Sequence, residues 1–555
     1  MTDVTTVTTG DVRITARDPA RDAAQRILGR LWIDRVPVRL ASDDPTLWGL
    51  PAGAARCWPA APGSTRALLP RIAEATDRVK TAGLTDVVLV GRGAPAMAAK
   101  VVARHAKAPL IVLDGLDPAP TLRLGADPDR LRRTVVVVAG EDVAATSQAG
   151  LIRRLFRDIG LDQDDAAERF VVAADVIAGE SNAAESAWEW RRITPHGGDV
   201  LETAGFVTPY SGVFGALSPY ALLPVALAGV NISDVLDQAT AVLPSLTRPE
   251  NNPGLVLGAI LAGSARAGRN KVIIGGFGSR YDGLDEWAGR LLTGATGAPR
   301  TGARFAGGMV PVVQLGGLPL APSAELFLVA LDGRPHQDDA TVTGSLGAQF
   351  VVWEYAAAVA AYLMGADPFA PRPPLTDTVE RTMAPLFRDR DVDGFVEHDS
   401  KIDAFGRSSG LAAGTDSVAQ VLDRLLDALP GDGHLAILAY LDPDPFVGQG
   451  RTVRRLAGAL GARAGRPVTV CWDPDPPVQG AADERGVYLV LTGKVMDDYR
   501  VLDEGDRLSR LQLAQALATT SRLRELGRPV ARLHLHHRWT GIAQLLDAAH
   551  QGGRA

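Results

Sequence analysis

Only two cysteines, Cys57 and Cys471, occur in 555 residues, which excludes a disulfide framework and a cysteine metal cluster. Aromatic residues make up 5% of the chain, and lysine is scarce beside arginine. Acidic residues outnumber basic ones, 64 to 58, and the net charge is −6. No block of Lys or Arg stands out, so no basic field for nucleic acid or an anionic membrane surface is expected. No uninterrupted apolar run reaches the roughly 18 residues of a membrane span. The segment Met1–Gly10 is polar and has no basic start or apolar centre of a secretory signal. A cytoplasmic protein that binds neither nucleic acid nor membrane is therefore expected. No period of about 20–50 residues marks a solenoid.

The chain does have apolar residues at 46% and charged ones at 22%, ordinary globular usage. Short Val/Ile/Leu runs alternate with longer helical stretches. Asp86–Gly91, Pro109–Asp114, Arg133–Gly140, Lys271–Gly275, Ala324–Leu331, His434–Leu441 and Gly486–Thr492 read as strands covered on both faces. Pro219–Gly229 and Glu354–Gly365 read as buried helices, and Asp389–Thr415 as a charged, Gly-rich loop. The pattern predicts an α/β fold with mostly parallel sheets. The boundaries expected are an N-terminal arm over 1–75, a first α/β domain over 76–200 and a second over 201–390. A linker over 391–430 and a C-terminal part over 431–555 that completes the second domain follow.

Ser211-Gly-Val-Phe-Gly-Ala-Leu-Ser-Pro-Tyr-Ala-Leu-Leu-Pro-Val-Ala-Leu-Ala-Gly-Val230 resembles a signature segment of glucose-6-phosphate isomerases. There, Gly-Gly-Arg-Tyr/Phe-Ser precedes an apolar helix ending in Pro-Ala-Ala-Leu-Ala-Gly. Further segments match in order: Asp44-Pro-Thr-Leu-Trp-Gly49, Leu113-Asp-Gly-Leu-Asp-Pro118, Asn252–Ala259, Ala267–Val272, Trp287–Gly297, Leu346–Ala356 and Gly527–Leu535. They are most similar to the actinobacterial form of the family, often fused to transaldolase. Each match is weak alone, but together they span nearly the whole chain. The resemblance implies two sugar-isomerase (SIS) domains, three-layer α/β/α units, and the reaction of glucose 6-phosphate to fructose 6-phosphate without a cofactor or metal.

Aldose–ketose isomerisation needs a carboxylate base, a cation or donors for the enediolate, ring-opening groups and a phosphate cradle. By the resemblance, the enediolate Arg falls on Val213, the base Glu on Gly294 and the C-terminal Lys on Gly480. No Lys lies between Arg466 and Lys494, and His336 is the replacement considered for the family His. In the cradle, Pro95 and Ala96 stand for two serines, and proline also lacks an N–H. Glu141 and Asp142 would bring negative charge toward a phosphate, each pair costing about 3 kcal/mol at about 5 Å and an effective dielectric of about 20. Ligand-binding candidates that remain are Gly91, Arg92, Gly93, Thr146, Ser147, Thr296 and Gln479.

Other features have plainer readings. Arg532-Leu-His-Leu-His536 reads as a terminal strand rather than a metal cluster, and Trp353-Glu354 as helix packing. Asp473-Pro-Asp-Pro-Pro477 reads as an acidic surface turn, the alternative being new carboxylates in the old active-site loop. The reading reached is an isomerase-like protein of carbohydrate metabolism whose inherited site has decayed. A non-catalytic sugar-metabolite-binding or oligomeric-partner role, as a homodimer or with a paralogue, is expected. The alternative is a working sugar (phosphate) isomerase with relocated catalytic residues.

Overall fold

The computed structural model describes residues 6–51, 58–139, 143–173, 213–275, 279–305, 307–312, 314–315, 318–319, 324–332, 339–370, 395–398, 402–405, 411, 414–474, 485–495 and 503–551. Val12, Ile14 and Ala16 alternate with more exposed neighbours, the period of a strand with one buried face. They make β2 (Val12–Ala16) the inner strand of a hairpin with β1 (Thr6–Thr9). Next come β3 (Asp86–Gly91), β4 (Leu110–Leu113), β5 (Thr134–Ala139) and β6 (Phe170–Ala173), all parallel, in the order β4-β3-β5-β6. β5 is buried at every position, which is why Thr134–Ala139 reads as an unbroken apolar run.

The second sheet adds β7 (Lys271–Gly275), β8 (Val310–Pro311), β11 (Leu326–Leu331) and β12 (Ala340–Thr343) to the opening hairpin, in the order β1-β2-β12-β11-β7-β8. A small hairpin, β9 (Gln314–Leu315) with β10 (Leu318–Pro319), lies between β8 and β11 in sequence. The third sheet contains β13 (Phe395–His398), β14 (Ile402–Phe405), β15 (His434–Tyr440), β16 (Val468–Trp472), β17 (Gly486–Gly493) and β18 (Val530–Leu535). Its order is β13-β14-β18-β17-β15-β16.

The parallel strands of all three sheets follow one rule: second, first, third, fourth in chain order. In the second and third sheets, a preceding hairpin lies antiparallel along the fourth strand: β2 on β12 and β14 on β18. The expected α/β architecture with mostly parallel sheets is therefore present. The boundaries differ. Residues 431–555 build a sheet of their own instead of completing the second one, and 391–430 supplies its hairpin instead of serving only as a linker. The Asp389–Thr415 stretch thus contains two strands, and the 1–75 arm contributes two strands to the second sheet.

The core of the second unit is a close stack of helices. Leu346–Met364 is apolar all round and, among the described residues, is the one helix long and apolar enough to cross a membrane, yet 94% of it is buried inside the protein. Its apolarity follows from neighbours on every side. It packs on Pro253–Arg266, where Gly258 takes the close approach: a Cβ there would stand 2.5 Å from Val359 Cβ. Gly263 on the same helix lies against the backbone of Ala23, in the helix Ala20–Ile33.

These two helices give a paired prediction. Gly29→Ala in Ala20–Ile33 meets nothing within 4 Å. It should gain about 0.5–1 kcal/mol from helix propensity. Gly258→Ala carries the same propensity gain but should lose about 1–2 kcal/mol net through overpacking. Urea midpoints of the two variants should move in opposite directions.

Candidate functional site

In open parallel α/β sheets, ligands bind outside the carboxyl ends of the strands, where the strand order reverses. In the first sheet that point lies beyond β3 and β5. Gly91 ends β3, and a Cβ there would come within 2.9 Å of Ala139 O, so the two strand ends approach closely only with glycine. Arg92 is extended and precedes the helix Gly93–Ala106, which Gly93 opens at φ +84°. Thr146 and Ser147 lie near the start of Val143–Asp158, and Ser147 is buried. Gly91, Arg92 and Gly93 thus share this edge. His336, Gln479, Gly480, Glu141 and Asp142 lie outside the described residues.

Val213 is 2% exposed in the main apolar cluster. Its neighbour Phe214 stacks on Trp58 at 4.4 Å between ring centroids. The following turn hangs on Glu354, whose Oε1 accepts hydrogen bonds from the N–H of Gly215 at 2.7 Å and of Ala216 at 2.8 Å. Burial pushes the Glu354 carboxyl up to about 7 against the pull of those two donors. Glu354 is therefore more than a helix-packing residue: it ties Leu346–Met364 to the turn before Pro219–Leu227. Gly294 falls within Leu284–Thr296 and is half-buried. Thr296 is fully occupied by backbone: its Oγ1 donates to Leu292 O at 2.7 Å and accepts from Met309 N–H at 2.9 Å. It closes a helix and fixes the entry to β8.

Among the described residues, a buried polar assembly lies where the carboxyl ends of the first and third sheets meet. Asp117, beyond β4, accepts from Arg538 Nη1 at 2.5 Å, and both side chains are almost fully buried. Arg538 also donates to Gly493 O, at the end of β17, through Nε at 3.2 Å and Nη2 at 3.1 Å. Asp473, just beyond β16, accepts from Leu116 N–H at 3.0 Å and from Gln512 Nε2 at 2.9 Å. Gln512 Nε2 also reaches Asp117 Oδ2 at 3.4 Å, so one amide spans both carboxyl groups. The Asp473 carbonyl takes Gln515 Nε2 at 3.2 Å and Arg92 Nη2 at 3.4 Å. Nearby, Asp442 beyond β15 pairs with Arg123 at 2.5 Å.

Burial raises the Asp473 carboxyl to about 7, and the neighbouring Asp117 charge adds to the rise, while Gln512, Leu116 N–H and Arg92 oppose it. Its backbone stands at φ +41°, a left-handed conformation uncommon outside glycine. The acidic surface turn expected at Asp473 is thus a buried junction. Proline-flanked aspartates look like a turn in any environment, and the sequence does not tell which face of the turn is covered. Asp117 stands in the quoted Leu113–Pro118 motif, and Arg538 follows the histidine-rich strand. Neither had a sequence signal that paired it with a residue some 420 positions away.

Among the described residues, no group of three or more His, Cys, Asp and Glu could hold a metal ion. His534 lies in β18, as expected of Arg532–His536, with its Nδ1 2.9 Å from Thr492 Oγ1, and His536 approaches Asp403 at 2.7 Å. Burial and nearby cations hold His534 down to about 3.

Glu354 gives a prediction with a definite sign. Below about pH 4.5 its carboxyl is protonated in folded and unfolded chain alike. As pH rises toward 7 the unfolded chain loses the proton first, so stability falls and then levels off. Glu354→Gln keeps an acceptor for Gly215 and Ala216 without a titrating charge. Its stability relative to the parent should improve by about 3 kcal/mol between pH 4.5 and 8. Parallel stability curves for the two proteins would show that Glu354 titrates as it does in water.

No protein-family model and no curated protein matches the chain. Among solved structures, the chain is similar to hypothetical protein TT0462 from Thermus thermophilus. The identity is 19%, over 66% of this chain and 96% of that one, with a TM-score of 0.49.

Proposed function

We propose that this chain is a glucose-6-phosphate isomerase-like, cytoplasmic protein of carbohydrate metabolism with a non-catalytic role. It would bind a sugar or sugar phosphate, or serve as an oligomeric partner in a homodimer or with an active paralogue. The observation that carries this reading is Val213. In the resemblance this position holds the cation for the enediolate, and here it is an apolar side chain, 2% exposed, in the main core. The base position, Gly294, has no side chain to abstract a proton, and Thr296 is engaged by backbone.

Asp473 favours a second reading, a working sugar isomerase with relocated residues. Its buried carboxyl stands near 7, in the range suited to a general base, beside Arg92.

A coupled assay from fructose 6-phosphate to glucose 6-phosphate separates the two. The non-catalytic reading expects no turnover; a rate above about 1 s⁻¹, the ordinary enzyme range, contradicts it. Should turnover appear, the second reading requires that Asp473→Ala abolish it. Val213→Arg should not restore an enzyme. It should instead cost several kcal/mol, because the guanidinium would enter an apolar core without a partner.

A further inference from the structure

The second sheet has a switch point of its own, between β7, its first parallel strand, and β11, its third. Ligands of open parallel sheets bind outside the carboxyl ends of such strands. Ser279 and Arg280 lie in the chain after β7, and Asp332 directly follows β11. Gln349 reaches the same place from the first turns of the helix Leu346–Met364. We propose that this edge binds a vicinal diol, the paired hydroxyls of an unphosphorylated sugar or of a nucleoside ribose. It does not include Val213 or Gly294, the positions on which the proposed function rests.

Two acceptors at this edge lack full partners. Gln349 is fully buried, and its Nε2 donates to Gly344 O at 3.0 Å and to Asp332 Oδ1 at 3.2 Å, which fixes the orientation of the amide. Its Oε1 is buried as well and has no hydrogen-bond partner. A buried acceptor left in that state is a cost to folding, and it calls for a donor from outside the chain. The Asp332 side chain is 9% exposed, yet its carboxylate is held by long contacts. Gly344 N–H and Ser279 Oγ stand at 3.4 Å, and Arg280 Nε at 4.0 Å. The Asp117 and Asp473 carboxylates, by contrast, take donors at 2.5 and 2.9 Å. Donors crowd instead on Gly344 O, which receives Tyr281 Oη at 3.3 Å besides Gln349. The edge therefore offers two acceptors, one amide group apart, to a ligand that carries two donors.

Charge narrows the class. An ammonium group would suit Asp332 but would stand beside the Arg280 guanidinium. Among the described residues no cluster of three or more His, Cys, Asp and Glu could hold a metal ion. A phosphate would meet the Asp332 carboxylate at close range. Paired hydroxyls are neutral, and each can donate one hydrogen bond. Arg280 is 64% exposed, so the edge is open to solvent on that side. The 3.4 Å contacts of Ser279 and Gly344 are weak enough to yield to a hydroxyl.

Calorimetric titration of the intact protein with glucose, adenosine and 2′-deoxyadenosine tests the site. Glucose or adenosine should bind saturably, the first result marking a sugar as the source of the diol and the second a nucleoside. If adenosine binds, 2′-deoxyadenosine, which lacks one of the paired hydroxyls, should bind at least about tenfold more weakly. Asp332→Asn keeps the side-chain shape and tolerates the φ of +54° at this position. Gln349→Met removes the unpartnered oxygen. Each variant should weaken the binding by about tenfold or more. Should Gln349→Met not fold, Asp332→Asn decides alone. Failure of both diols to bind overturns the proposal, as does equal binding of adenosine and its deoxy form. Diol binding left unchanged in a folded variant also overturns it; a sugar would then sit elsewhere, and the proposed function would stand. Isomerase turnover, present or absent, alters none of these results.

Discussion

The structure depends on a buried ion pair, Asp117 with Arg538, set between the carboxyl ends of two parallel sheets. Removing two charges from water costs several kcal/mol each, and their attraction offsets this only if the remaining donors and acceptors are also satisfied. Here the Gly493 carbonyl and Gln512 Oε1 accept further guanidinium N–H groups, and Gln512 Nε2 and the Ala119 N–H donate to the Asp117 carboxylate. The arrangement is specific in direction. It joins strand ends that an α/β fold ordinarily leaves for a ligand. Asp473 belongs to the same assembly, its carboxyl accepting from the Leu116 N–H and from Gln512.

A second constraint is the recurring strand order. Each parallel core places its first strand centrally, and the second and third units each lay an early hairpin along the last strand. The turn before Pro219–Leu227 shows how these units are linked. Glu354 holds its N–H groups from the second unit, while Thr65 donates to Leu217 O at 2.7 Å from a helix of the N-terminal region. The segment most similar to an isomerase signature is thus held by hydrogen bonds to its backbone and by apolar packing. Those contacts do not require a cation at position 213.

Much of this was legible in the sequence. The Val/Ile/Leu runs at Asp86, Pro109, Arg133, Lys271, Ala324, His434 and Gly486 are all strands, because parallel strands buried on both faces have no polar face to conceal them. The helix at Pro219 follows for the same reason. Sheet membership was not legible. An apolar run reports burial but not the neighbouring strand, so 431–555 looked like an extension of the second unit. The 395–405 hairpin was hidden by charge: Phe395-Val-Glu-His398 and Ile402-Asp-Ala-Phe405 mix polar and apolar residues over only four positions each. The glycine turn at Gly91–Gly93 after β3 could be read from the sequence, since a strand ending in Gly-x-Gly before an Ala-rich helix is a local pattern. Asp117, Gln512 and Arg538 could not, since their meeting is a property of tertiary packing between residues hundreds of positions apart.

The first and third sheets are coupled through this buried pair. A double-mutant cycle with Asp117→Asn, Arg538→Met and the combined variant, followed by urea unfolding at pH 6, measures that coupling most directly. A coupling energy of about 2–3 kcal/mol is expected, with the double variant far less destabilised than the sum of the single ones. A coupling below about 0.5 kcal/mol, with additive losses, would contradict it.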